Sequence, residues 1–238
     1  LVALNRAAEE GGLVAGELLS NARSKILDLQ SCAADPAADD AALQRLALWC
    51  LRYTPMVAPW DEVNGADGLF LDITGCAHLF GGEAGLLADL AGRLRRFNLR
   101  PRLAIADTPG AAWALARYGR ADSMIAPPNG AERALQDLPL AALRLSEETQ
   151  VLLRRLGFRR IGDVIRQPRA PLAARFGAHF HNRLDQTLGR APEPLSPLAP
   201  PPVYRAQASF VEAITTQAHV VEAATHLLSN LAEDFTRD

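Results

Sequence analysis

Apolar side chains recur at helical spacing through most of the chain and crowd into strand-like runs in a few places. Residues 2–10, VALNRAAEE, are helix formers that run into Gly11-Gly12, a stop signal, and residues 16–29 read as a second short helix. The acidic, proline-containing stretch CAADPAADD at 32–40 reads as a loop. From Ala41 to Tyr53, the side chains of Leu43, Leu46, Ala47, Trp49, Cys50 and Tyr53 recur at helical spacing, and Pro55 closes the element. Gly68 to Gly75, GLFLDITG, is apolar on both faces and bounded by glycine. That is the pattern of a central strand, and Asp72 is its one charged residue.

Helical spacing returns over Glu83 to Phe97, with Leu86, Leu87, Leu90, Leu94 and Phe97 on one stripe, and Pro101 to Ile105 predicts a second buried strand. Ala111 to Tyr118 predicts the next helix, started by Thr108 as N-cap and Pro109 at its first position. This alternation implies an α+β layer with helices packed on one face of a sheet. After Ala126-Pro127-Pro128-Asn129-Gly130 the pattern is helical up to Leu188, a separate small all-helical domain. Six prolines between 192 and 202 then predict an extended linker, beyond which Val203 to Ile214 reads as a strand and Ala218 to Phe235 as an amphipathic helix.

With 238 residues and 49% apolar side chains, the chain can bury a sizeable core, and no apolar run approaches the roughly 18–20 residues of a membrane span. The three cysteines, Cys32, Cys50 and Cys76, have no CxxC spacing, which excludes a disulfide scaffold and a thiolate zinc site and fits a reducing cytoplasm. No signal peptide and no Met opens the chain, so it is expected to be a fragment cut at both ends. The net charge of −2 conceals a partition: residues 1–90 hold 5 basic and 13 acidic side chains, and residues 144–190 hold 10 and 4. Apart from Lys25, every basic residue is arginine, whose planar fork suits phosphate contact.

Two stretches carry candidate chemistry. In LLRRLGFRRIGDVI, residues 152–165, two helices meet around Gly157, with a second glycine at Gly162 and with Arg154, Arg155, Arg159 and Arg160 around the turn. Such a helix-hairpin-helix lets backbone N–H groups approach a phosphate without reading sequence; a pair of packed helices with a glycine cap is the alternative. The acidic residues Asp61, Glu62, Asp67 and Asp72 could hold magnesium for phosphoryl transfer, or Asp67 could start a turn and Asp72 cap a loop. Cys76 and His78 beside Glu83 lack a second ligand pair and read as a buried pair, and Asp107-Thr108-Pro109-Gly110 lacks the Lys and glycine spacing of a phosphate loop.

The string FLDITGCAHLFGG at 70–82, set in the order acidic sheet, basic hairpin, proline linker and strand-helix unit, resembles the Y-family translesion DNA polymerases. Within that family DGLFLDITGCAHLFGGE at 67–83 is similar to the ImuB-type branch, polymerase-related partners in bacterial damage-induced mutagenesis. The resemblance covers nearly the whole chain. It implies a multidomain α+β fold: fingers-like helices over 1–52, a palm-like region with an antiparallel or mixed sheet over 53–129, and a small helical thumb with a helix-hairpin-helix over 130–190. A Pro-rich linker follows over 191–202, then the start of an α/β little finger over 203–238, with the N-terminal palm strand and most of the little finger lying outside the chain.

An active member of the family needs an Asp-Glu pair just before the strand and another Asp on the first strand. Anchored on Phe70-Leu71-Asp72, the pair falls on Asp67 and Gly68, so the metal-binding Glu is lost; moving the gap would put Asp61-Glu62 there instead. A Tyr and an Arg that grip the triphosphate in active relatives correspond to Arg6 and Glu9, and an Asn-Lys pair corresponds to the Asp107-Thr108-Pro109 segment. The first thumb hairpin falls on RLSEET at 144–149. The resemblance therefore implies no catalytic residues, no metal and no cofactor, with DNA contact through Arg154, Arg155, Gly157, Arg159, Arg160 and Gly162. The implied function is a cytoplasmic, non-catalytic scaffold in DNA repair and the SOS response. It would bind damaged or primer-template DNA and recruit an error-prone C-family polymerase with an accessory mutagenesis protein. A sliding clamp would be reached through segments outside this chain. Two alternatives stand beside it: an active translesion polymerase using Asp67 or Asp72 with magnesium and an upstream Asp, and a plain helix-hairpin-helix DNA-binding module.

Overall fold

The computed structural model describes residues 1–60, 67–199, 206–210 and 215–237, which fall into two units, residues 1–198 and 199–238. The first unit opens with α1 (Arg6–Glu10) and α2 (Leu19–Lys25), which enclose a small core of Ala8, Leu13 and Ala22. The next helix, α3 (Pro36–Cys50), begins inside the acidic stretch expected to be a loop. Asp35 accepts the Ala38 N–H and Pro36 occupies the first position, so the acids and the proline serve as a helix start rather than a break.

Two ribbons replace the single sheet layer anticipated. The strand β1 (Val57–Trp60) pairs antiparallel with β2 (Gly68–Leu71), Trp60 opposite Gly68 and Val57 opposite Leu71. The periodicity gave no sign of β1, because it is four residues long and contains Pro59, which cannot donate to a ladder. β2 ends at Leu71 rather than continuing to Gly75. A 3-10 turn (Ala77–Phe80) leads into α4 (Glu83–Arg96); here His78 is exposed and Cys76 half-buried, so they are not the buried pair expected. The second ribbon, β3 (Leu103–Ile105) with β4 (Ser123–Ile125), is parallel and brackets α5 (Pro109–Tyr118). Antiparallel and parallel pairing thus coexist, in two separate ribbons within an α+β fold.

A cleft of about 560 Å³ lies between the ribbons, lined by Leu69 and Leu71 of β2, Leu86 and Leu90 of α4, and Leu103 and Ile105 of β3. This is why the apolar residues of both strands are only half-buried. Tyr53, Leu86, Leu90 and Leu94 form the core beneath, where Tyr53 also donates to Asp89 at 2.7 Å.

The helical region follows: α6 (Ala131–Leu135), a 3-10 turn (Leu140–Leu143), α7 (Glu147–Arg155), α8 (Ile161–Ile165) and α9 (Arg169–Thr187). Gly177, at φ 77°, breaks α9 into two segments. The core here is continuous with the sheet region, since Ala111 and Leu115 of α5 pack with Leu135, Leu143, Leu153, Ile161 and Phe180. The start of the proline-rich segment is docked rather than free: the Leu198 N–H donates to Val57 O at 2.8 Å and its side chain packs with Ala47, Cys50 and Val57. In the second unit α10 (Gln217–Arg237) forms as expected. Of the strand read over 203–214, residues 206–210 carry no regular structure and the rest lie outside the described residues. Among the described residues no helix is long and apolar enough to cross a membrane.

Candidate nucleic-acid interface

Asp67 stands just before β2, exposed, with its carboxylate in an ion pair with Arg117 of α5. The Arg117 guanidinium lies 5.3 Å from the centre of the Trp113 ring. At Gly68 an added Cβ would meet only the Cβ of Trp60 at 3.9 Å, so crowding does not impose glycine there. Asp72 stands just past the other end of β2. Its Oδ1 accepts the Thr74 N–H at 3.0 Å, and the hydrogen bonds from Thr74 hold its carboxyl below the usual aspartate range. This is the loop-capping role that its position allowed. The buried hydroxyl of Thr54 donates to Asp72 O at 2.5 Å, which fixes the strand end.

Asp67 and Asp72 flank the four residues of β2 at its two ends, roughly 16 Å apart at the rise of an extended chain. Carboxylates that share metals in phosphoryl transfer must converge on ions about 4 Å apart. Asp67 is paired with Arg117 and followed by glycine, and no second carboxylate joins it among the described residues to make a magnesium site. Among the described residues no three His, Cys, Asp or Glu side chains gather to hold a metal. Asp61 and Glu62 lie outside the described residues, as does the side chain of Arg6.

The positions matched to nucleotide contact are built for other ends. Glu9 is exposed on α1, a helix capped by Asn5, whose Oδ1 accepts the Ala8 N–H at 2.9 Å. A Glu there would repel a polyphosphate. Pro109 is the first residue of α5, and Thr108 caps it as the sequence predicts, its Oγ1 accepting the Ala111 N–H at 3.0 Å. Over 144–149, in place of a first hairpin, Ser146 caps α7 by accepting the Thr149 N–H.

At the candidate hairpin, α7 and α8 meet through Gly157, whose φ of 89° needs glycine. The backbone N–H groups are not open to a phosphate, however. Arg159 and Arg160 N–H both donate to Asp163 Oδ2 at 2.9 Å, Ile161 N–H to Leu138 O at 2.9 Å and Gly162 N–H to Gln136 O at 2.9 Å. These bonds hold the Asp163 carboxyl below its usual range, with the Arg159 amide the largest influence and Arg160 next. Gly162 is buried, and a Cβ there would lie 2.9 Å from Gln136 O, so this glycine serves close packing. Any phosphate contact therefore rests on side chains.

Those side chains are partly committed. Arg154 donates to Gln150 at 3.1 Å and Arg160 pairs with Asp137 at 3.0 Å. Of the ten arginines in 144–190, five others pair with acids: Arg144 and Arg183 with Glu193, Arg166 with Asp163, Arg169 with Asp185 and Arg190 with Glu132. Arg155, Arg159 and Arg175 are the exposed ones with no such partner among the described residues. A charge count overstates the available charge because it cannot see these pairings, and it gave no sign that Arg175 stays free.

No family model matches the chain. It is 46% identical over 218 residues to Protein ImuB of Caulobacter vibrioides, strains NA1000 / CB15N and ATCC 19089 / CIP 103742 / CB 15, a match covering 92% of this chain and 46% of each relative. The chain therefore spans about half the length of the curated relatives it matches. Among solved structures it resembles an insertion ternary complex of Dbh DNA polymerase, with TM-score 0.66 and 15% identity over 80% of this chain and 56% of that one. It also resembles a DinB family error prone DNA polymerase from Sulfolobus solfataricus, with TM-score 0.65 and 15% identity over 81% and 58%. The chain is thus similar in sequence to ImuB and similar in fold to Dbh and DinB family DNA polymerases.

Proposed function

We propose that the chain is the polymerase-like part of a non-catalytic DNA-binding scaffold for damage-induced mutagenesis and DNA repair, working without a metal or cofactor. The observation that carries this reading is the fate of the acids around β2: Asp67 is paired with Arg117, Gly68 follows it, and Asp72 caps the loop beyond the strand. Among the described residues no carboxylates converge to let magnesium activate a primer hydroxyl or neutralise a triphosphate. Glu9 and Pro109 support the reading, since neither adds positive charge where a triphosphate would sit. The DNA contact is assigned to Arg155 and Arg159, with Arg154 and Arg160 positioning the turn, and is sequence-independent because it is made to phosphate. In the cytoplasm the scaffold would hold damaged or primer-template DNA and bring an error-prone C-family polymerase, an accessory mutagenesis protein and the sliding clamp to it. Part of that recruitment would be carried by segments beyond this chain.

Primer extension by the full-length protein, with magnesium and all four nucleotides, tests the catalytic half of the reading. No incorporation is expected. Incorporation that Asp67→Ala abolishes would establish an active polymerase instead. Co-purification of the full-length protein with a C-family polymerase and a primer-template tests recruitment; DNA binding with no captured polymerase would leave only a hairpin module.

A further inference from the structure

Arg144 is fully buried at the seam between the helical and sheet regions, with 0% of its side chain exposed, and its φ of 54° is unusual for a residue with a side chain. Its Nη1 and Nη2 donate to the two oxygens of Glu193 at 2.6 and 2.8 Å, and Arg183 reaches the same carboxylate at 3.3 Å. The guanidinium carbon stands 4.8 Å from the Trp60 ring centre and 5.8 Å from that of Trp113. Its Nε has no hydrogen-bond partner. The seat on α5 is Gly110, where a Cβ would come within 2.8 Å of Arg144 Nη2 and 2.9 Å of Thr187 Cα. Glu193 belongs to a strap, residues 191–198, held at its start by Ala191 N–H donating to Asp185 O and at its end by Leu198 N–H donating to Val57 O.

We propose that Arg144 and Glu193 form a latch that bolts the helical region and the strap to the Trp60–Trp113 face of the sheet region. Opening it frees the strap from Glu193 to Leu198 and uncovers both indole rings. A buried ion pair is suited to this because a half-broken state leaves an uncompensated charge, so the latch is either shut or open. The planar guanidinium satisfies a bidentate carboxylate and two aromatic faces at once, which a lysine cannot do. The seat adjoins Pro109 and the bolt opens the segment 144–149, the two places where, by the family resemblance, active relatives carry a triphosphate-binding lysine and a glycine hairpin that this sequence lacks. The latch is independent of the DNA contact in the scaffold reading, since Arg144, Glu193 and Gly110 are not among the residues assigned to it.

Hydrogen exchange followed by mass spectrometry on the full chain, with tryptophan emission recorded in a Trp49→Phe background, tests the latch. Glu193→Gln keeps the side-chain shape and removes the charge. It is expected to speed exchange at Ala191 and Leu198, the hydrogen-bonded amides of the strap, by about tenfold or more and to shift the emission of Trp60 and Trp113, while α4 and α10 exchange as in the wild type. Gly110→Ala, which displaces Arg144 without touching either charge, should give the same local pattern. Strap exchange within about twofold of wild type in Glu193→Gln would overturn the proposal. So would an acceleration spread evenly over residues 1–198, because that is the mark of general destabilisation. If Gly110→Ala fails to fold, the Glu193→Gln result decides alone.

Discussion

One hydroxyl at Thr108 closes two separate structures: it accepts the Ala111 N–H at the start of α5 and donates to Thr187 O at 2.9 Å at the end of α9. Thr108→Ala removes the cap and the cross-link together, and urea unfolding should record a loss of about 1–2 kcal/mol. Thr108→Ser, which keeps the oxygen, should recover most of it. A different single-residue property separates the cysteines. Burial pushes the Cys50 thiol up to about 11, while Cys32 is exposed. Because the thiolate is the reactive form, a thiol reagent at neutral pH should modify Cys32 in the folded chain and reach Cys50 only on unfolding. Modification of Cys50 at the rate of Cys32 would show that the α3–β1 core opens readily.

At the scale of elements, the α7–α8 turn is held by the Asp163 carboxylate, which fills the place a phosphate would take at the amides of Arg159 and Arg160. The folded carboxyl is held below the aspartate range. Its stabilisation of the turn is therefore complete above about pH 4, the ordinary aspartate value, and is lost as the pH falls through the lower folded value. NMR titration should show the amide shifts of Arg159 and Arg160 moving together, with a midpoint below that of a free aspartate. A midpoint at or above about 3.9 would refute the cap. The packing behind the turn is apolar: Leu153 of α7 is fully buried beside Ile161. Leu153→Ala should cost about 2–5 kcal/mol through the cavity it leaves.

For the whole molecule, charge is distributed as pairs inside the helical region and as a few free cations on its surface. Replacing Arg155 and Arg159 by Ala should weaken binding to a primer-template equally for all sequences and lower the salt-dependence slope by about one for each phosphate no longer neutralised. Unchanged affinity would move the interface elsewhere, with Arg175 the next residue to test. The chain's local elements were legible in its sequence because they depend on neighbours: the stripe of α4, the Thr108–Pro109 start of α5, the glycine turn at Gly157 and the capping role of Asp72. The motif at 67–83 likewise carried the family. The strand β1 and the helix start at Asp35 were hidden, because proline and a run of acids suit a strand edge or a first turn as well as a loop. What only the tertiary structure decided was which charges meet. Arg117 and Asp67 are fifty residues apart in the chain, and Arg144 and Glu193 nearly as far. Each pairing fixes whether a carboxylate is a metal ligand, a cap or a bolt, and electrostatic partnership across such separations is set by the fold, not by spacing along the sequence.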